Sequence, residues 1–179
     1  SLLFLFLISN VLSQENDYFI DANFDLNNRI IEIYQTIDFT NTTSNNLNYI
    51  ILNDWAHSYF RPTTPLGKRL SEDFTLNFQR STKNQRGFTT IIDIKSDSTI
   101  LDHTRLKENI DLVKVKLKNL LKPNEKITIT IEYKIKIPVS DFTGYGIDKN
   151  NNINLSEWFI TLAKIIDNNW LIESNLDLN

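Results

Sequence analysis

Apolar and polar residues alternate with a period of two along most of this chain, which predicts strands with one buried and one wet face. The cleanest case spans 126–138. Ile127, Ile129, Ile131, Tyr133, Ile135 and Ile137 share one face, and Thr128, Thr130, Glu132, Lys134 and Lys136 share the other. Residues 112–118 repeat the design, with Val113, Val115 and Leu117 against Lys114, Lys116 and Lys118, and Pro123-Asn124 supplies the turn between the two segments. Earlier, 18–26 brings Tyr18, Ile20, Ala22, Phe24 and Leu26 into phase. Asn27-Asn28 signals a turn, since Asn tolerates positive φ, and 29–40 follows with Ile31, Ile33, Ile37 and Phe39 on one face. This pair predicts a hairpin. Residues 47–52 and 87–95 read as further strands, the second carrying Phe88, Ile92 and Ile94.

One segment has helical spacing instead. Leu66, Leu70, Phe74 and Phe78 recur every four residues. Thr64 suits the N-cap, and Pro65 suits the first helical position, where its missing N–H costs nothing. The spacing predicts a helix over 65–79. Many short strands, one helix and no repeat of 20–50 residues predict a mainly β chain folded as an antiparallel β-sandwich.

The ends read differently. Residues 2–8 are wholly apolar, but a membrane-spanning helix needs about 20 such residues. With the small and polar residues after it, 1–14 reads as a signal peptide that has lost its basic start, and the competing reading is a buried first strand. The chain starts with Ser1 and stops within an apolar/polar alternation at Asn179. Both ends are therefore expected to be cut, leaving one domain over 15–179 that is incomplete at its C-terminal end. Export from a bacterial cell is the expected fate, whether to the periplasm, the outer membrane or the medium.

Composition narrows the chemistry. The absence of Cys excludes disulfides, thiolate catalysis and Cys-based metal sites. A net charge of −3 argues against a nucleic-acid partner. No H-E-x-x-H, G-x-S-x-G, P-loop or G-x-G-x-x-G occurs. No catalytic residue and no metal ligand is therefore assigned. His57 and His103 read as loop or surface residues. Asp148, Asn150, Asn152 and Asn154 offer oxygens at alternate positions, but Ile153 and Phe159 stand where a calcium loop needs Gly and Glu, so a polar surface turn is expected. Arg61, Lys68, Arg69, Arg80, Lys83 and Arg86 form a basic stretch, read as a solvated helix face. Asn41 and Asn154 each begin a glycosylation sequon. Trp158 and Trp170, near Glu157 and Glu173, can line a ligand cleft or cap the core.

Several landmarks follow one another in a telling order: 52–59 (Leu-Asn-Asp-Trp-Ala-His-Ser-Tyr), 64–70 (Thr-Pro-Leu-Gly-Lys-Arg-Leu), 86–91 (Arg-Gly-Phe-Thr-Thr-Ile), 121–125 (Leu-Lys-Pro-Asn-Glu), 133–138 (Tyr-Lys-Ile-Lys-Ile-Pro), Ser156-Glu157-Trp158-Phe159 and Asp167-Asn168-Asn169-Trp170. From residue 18 onward the chain resembles the N-terminal domain of exported bacterial zinc aminopeptidases of the gluzincin type, the aminopeptidase N group. The resemblance implies a saddle-shaped β-sandwich that packs on a thermolysin-like catalytic domain lying beyond this chain. The zinc cofactor and the H-E-x-x-H motif would belong to that missing domain, with peptides as substrate, and this fragment would be inactive alone. In the family, a Gln or Glu late in the domain binds the free α-amine of the substrate. Glu157 holds the matching position, although Ile160-Thr161-Leu162 replaces the usual continuation with Pro and a basic residue. The alternative is a stand-alone exported β-sandwich that binds a glycan or a partner protein.

Overall fold

The computed structural model describes residues 16–172. The expected signal peptide over 1–14 lies outside them. Thirteen strands are described: β1 (Asp17–Asp25), β2 (Ile30–Thr40), β3 (Leu47–Asn53), β4 (Phe88–Ser96), β5 (Thr99–Ile100), β6 (His103–Arg105), β7 (Leu112–Leu121), β8 (Lys126–Lys136), β9 (Gly146–Ile147), β10 (Ile153–Asn154), β11 (Thr161–Leu162), β12 (Ile165–Ile166) and β13 (Asn169–Trp170). A 3-10 helix (Trp55–Phe60) and one α-helix, α1 (Pro65–Glu72), lie between β3 and β4.

Two antiparallel sheets carry the fold. One has the order β1-β2-β8-β4-β5, the other β11-β3-β7-β6, and two short hairpins, β9–β10 and β12–β13, sit beside them. The predicted hairpin of β1 and β2 forms, with Arg29 rather than an Asn taking positive φ in its turn. The predicted β7–β8 turn forms with Asn124 at φ 63°.

The inner faces follow the two-residue period. Ile31, Ile33, Ile37 and Phe39 of β2 meet Ile129, Ile131, Tyr133 and Ile135 of β8, and from the other sheet Ile50, Leu52, Val113, Val115 and Leu117 close the same core. Full burial of each aliphatic side chain is worth about 1.5–3 kcal/mol, so this shared core is what holds the sheets face to face. The result is a mainly β, antiparallel sandwich. Trp170 caps the core, its ring 5.7 Å from that of Phe39, and the half-buried Trp158 packs 5.8 Å from Phe24.

Two elements differ from their sequence pattern. The helix predicted over 65–79 stops at Glu72. Thr64 does cap it, its hydroxyl accepting the Gly67 N–H, and Leu66 and Leu70 are buried as the spacing requires. At the far end, however, Phe74 turns left-handed at φ 57°. Its N–H donates to the Ser71 carbonyl and that of Thr75 to the Leu70 carbonyl, which is a Schellman closure. Phe74 is thereby thrown out to 90% exposure, and Phe78 reaches the core side through the following turn. In β4, Ile91 pairs with Tyr133 and Asp93 with Glu132, so Ile92 is the extra residue of a bulge. The phase breaks there: Ile94 is buried, whereas Ile92 faces solvent.

Candidate functional site

The two sheets are tied together by buried polar groups at one end. Asp54, directly after β3, is 1% exposed. Its carboxylate accepts Thr89 Oγ1–H from β4 at 2.6 Å and Arg105 Nη2–H from β6 at 2.6 Å. Its N–H donates to the Asp111 carbonyl, and its carbonyl accepts the His57 N–H. Arg105 also donates to the Ile110 carbonyl. His57 is therefore not a surface or loop residue as its sequence context implied. It lies on the 3-10 helix, buried, with Nδ1 3.0 Å from the Thr89 carbonyl and 3.2 Å from the Thr89 nitrogen. Burial and the Arg105 charge hold its pKa down to about 4, despite the nearby Asp54.

Ser, His and Asp come together here without forming a nucleophilic triad. The Ser58 hydroxyl donates to the Asp111 carboxylate, and His57 Nδ1 is taken by the Thr89 backbone. The arrangement is a brace that fixes the 3-10 helix, and through it Trp55 and Tyr59.

Those two side chains wall a hollow of about 260 Å³, completed by Ala56, Thr143, Tyr145, Asn154, Ser156 and Glu157. Tyr59 and Tyr145 stack, with ring centres 5.0 Å apart and planes at 15°. The Tyr59 hydroxyl bonds Thr143 Oγ1 at 2.6 Å. Burial raises both phenols above the usual tyrosine range. Among the described residues, Trp55 Nε1 and the Tyr145 hydroxyl are buried without a hydrogen-bond partner.

The opposite wall comes from the β9–β10 hairpin. Gly146 permits the entry: its φ is 126°, and a Cβ there would lie 2.3 Å from the Pro138 carbonyl oxygen. The Asp148 carboxylate organises the turn, accepting N–H groups of Asn150 and Asn152 and the Asn152 side-chain amide. These bonds hold its pKa below the ordinary carboxylate range, and the loop is the polar turn expected from its sequence. The chain then delivers Glu157, exposed and at φ 49°, to the rim of the hollow.

No protein-family model matches the chain, and no curated protein does.

Of the remaining sequence candidates, His103 and Asn41 are not among the residues that wall the hollow. His103 lies on the edge strand β6, exposed. The Asn41 sequon is closed to a glycan, because Asn41 is fully buried and its side-chain amide donates to the Asn45 and Leu121 carbonyls. Asn154 is exposed and borders the hollow. Among the described residues no three His, Asp or Glu side chains converge as metal ligands.

Sequence reasoning passed over Gln35 and the Asp54 brace. Gln35 was visible in principle, since it stands in phase with Ile31, Ile33 and Ile37 and is fully buried with them. Nothing local links Asp54 to Arg105, which lies 51 residues further along.

Proposed function

We propose that this chain is the non-catalytic N-terminal β-domain of an exported bacterial zinc aminopeptidase, and that it lends Glu157 to the substrate cleft of the parent enzyme. The observation that carries the reading is the hollow. Two landmark segments almost a hundred residues apart, 52–59 and 156–159, meet there and supply Trp55, Tyr59 and Glu157. An exposed carboxylate beside aromatic walls suits an ammonium group, through a charge-assisted hydrogen bond and the faces of the rings. In this reading the zinc is held by the missing catalytic domain, and the share of this domain is binding and packing.

The coding sequence beyond residue 179 tests the proposal. An H-E-x-x-H motif with a Glu further on, and chelator-sensitive aminopeptidase activity of the extended protein, are the expected results. The 179-residue chain alone is expected to hydrolyse nothing. An immediate stop codon, a second β-module or chelator-insensitive activity would contradict it and favour a stand-alone module that binds a glycan or a partner protein.

A further inference from the structure

The basic stretch of the sequence does not form one helix face. Lys68 and Arg69 lie on α1, whereas Arg80, Lys83 and Arg86 lie beyond it, on the loop leading into β4. There Arg86 and Arg29, from elsewhere in the chain, reach the same turn, and Arg29 in turn lies close enough to Lys136 to repel it. The Arg29 guanidinium donates through Nη2 to the Asn84 carbonyl, and Arg86 donates through Nε to the Thr82 carbonyl. Both therefore dock on one turn, on carbonyls two residues apart. Lys136, paired with Ile30 and Phe88 in the sheet, sends its ammonium to the Asn28 carbonyl beside Arg29.

All three cations are half-buried. Backbone carbonyls satisfy them, and among the described residues none of the three joins an ion pair. Asp25 faces Lys136 from the β1–β2 turn, and its carboxylate accepts the Asn28 N–H and side-chain amide. Burial, then repulsion by Arg29, keeps the Lys136 pKa below the ordinary lysine range in spite of Asp25. Asp25 supplies one negative charge against three cations drawn partly out of water, which leaves an excess of positive charge there. Arg29 and Arg86 each commit one nitrogen in these contacts, which leaves the rest of both guanidinium forks for a ligand.

We propose that Arg29, Arg86 and Lys136 form a binding site for a phosphate-type oxyanion, carried by free phosphate or by the headgroup of an anionic lipid. A tetrahedral dianion presents several acceptors at once, which matches two forks and an ammonium better than a single carboxylate does. The site stands apart from the hollow and does not rest on the peptidase reading.

The test titrates inorganic phosphate into the chain at constant ionic strength, with chloride as the control, following arginine side-chain N–H resonances and the thermal midpoint. Saturable binding is expected, weakened roughly tenfold or more in Arg29→Asn combined with Arg86→Gln. Asn is at ease at positive φ, so the turn survives, and Arg86→Gln alone serves as a second variant. Co-sedimentation with phosphatidylcholine vesicles, with and without phosphatidic acid, separates the two sources. Binding only to the acidic vesicles, lost in the double variant, identifies the lipid, and saturable phosphate binding without vesicle binding identifies the free ion. Binding that the substitutions leave intact overturns the proposal, as does a phosphate response no larger than that of chloride together with no vesicle binding.

Discussion

The Tyr133 hydroxyl donates to the Gln35 side-chain carbonyl between diagonal positions of β8 and β2, in the sealed core. The same hydroxyl accepts the Ile160 N–H at 3.2 Å, and Gln35 Nε2 donates to the Ile160 carbonyl at 2.6 Å. Two side chains thus offer Ile160 an acceptor and a donor, as a neighbouring strand would. They pin the chain three residues after Glu157. Tyr18 extends the clamp, its hydroxyl accepting the Leu162 N–H.

This clamp predicts strong coupling. Tyr133→Phe leaves Gln35 Oε1 and the Ile160 N–H buried and unpaired, and should cost about 2–4 kcal/mol in urea unfolding. Gln35→Leu combined with Tyr133→Phe should cost clearly less than the sum of the single changes, because the second change removes a group that the first orphaned. Additive losses would mean that the two residues do not act as one network.

His57 predicts a pH window. Its pKa is about 4 in the folded chain, against 6.5 as the ordinary value. The unfolded chain therefore binds the proton first as pH falls, and stability drops between about 6.5 and 4, then levels off for this group. The full loss is about 3 kcal/mol, from roughly 2.5 pKa units at 1.36 kcal/mol each. His57→Gln should remove that drop in a series of chemical unfolding curves. An unchanged drop would place its origin in other groups.

Phe74 predicts a stabilising substitution. A bulky residue in the left-handed conformation costs about 1–2 kcal/mol, and this one is 90% exposed, so its ring recovers little by burial. Phe74→Gly should raise stability by about 0.5–1 kcal/mol, after allowing for the greater freedom of Gly when unfolded. A lower thermal midpoint in the variant would show that the exposed ring stabilises the fold.

The sheets were legible because one physical rule governs them. A two-residue period with one wet face allows little freedom, and β2 and β8 obey it residue by residue, as β7 does from Val113 to Lys118. The helix was legible at its start, where Thr64 and Pro65 carry local chemistry, and misread at its end. There a Schellman closure, normally signalled by Gly, is made by Phe74. The bulge at Ile92 has no local signal, because register is settled by the partner strand. Around the hollow, the sequence singled out Glu157 through the resemblance and Asn154 through its sequon. Trp55, Tyr59 and Tyr145 join it through chain crossings, and the brace that positions them depends on Asp54 meeting Thr89 and Arg105 from two different sheets.

The central claim, that this domain contributes Glu157 to a peptidase cleft, is tested most directly by steady-state kinetics of the parent enzyme carrying Glu157→Ala. A charge-assisted hydrogen bond is worth about 1.5–3 kcal/mol. The substitution should therefore raise KM for peptides with a free N-terminal amine roughly tenfold to a hundredfold, and leave N-terminally blocked peptides nearly unaffected. Equal effects on both kinds of peptide, or no effect on either, would contradict the account.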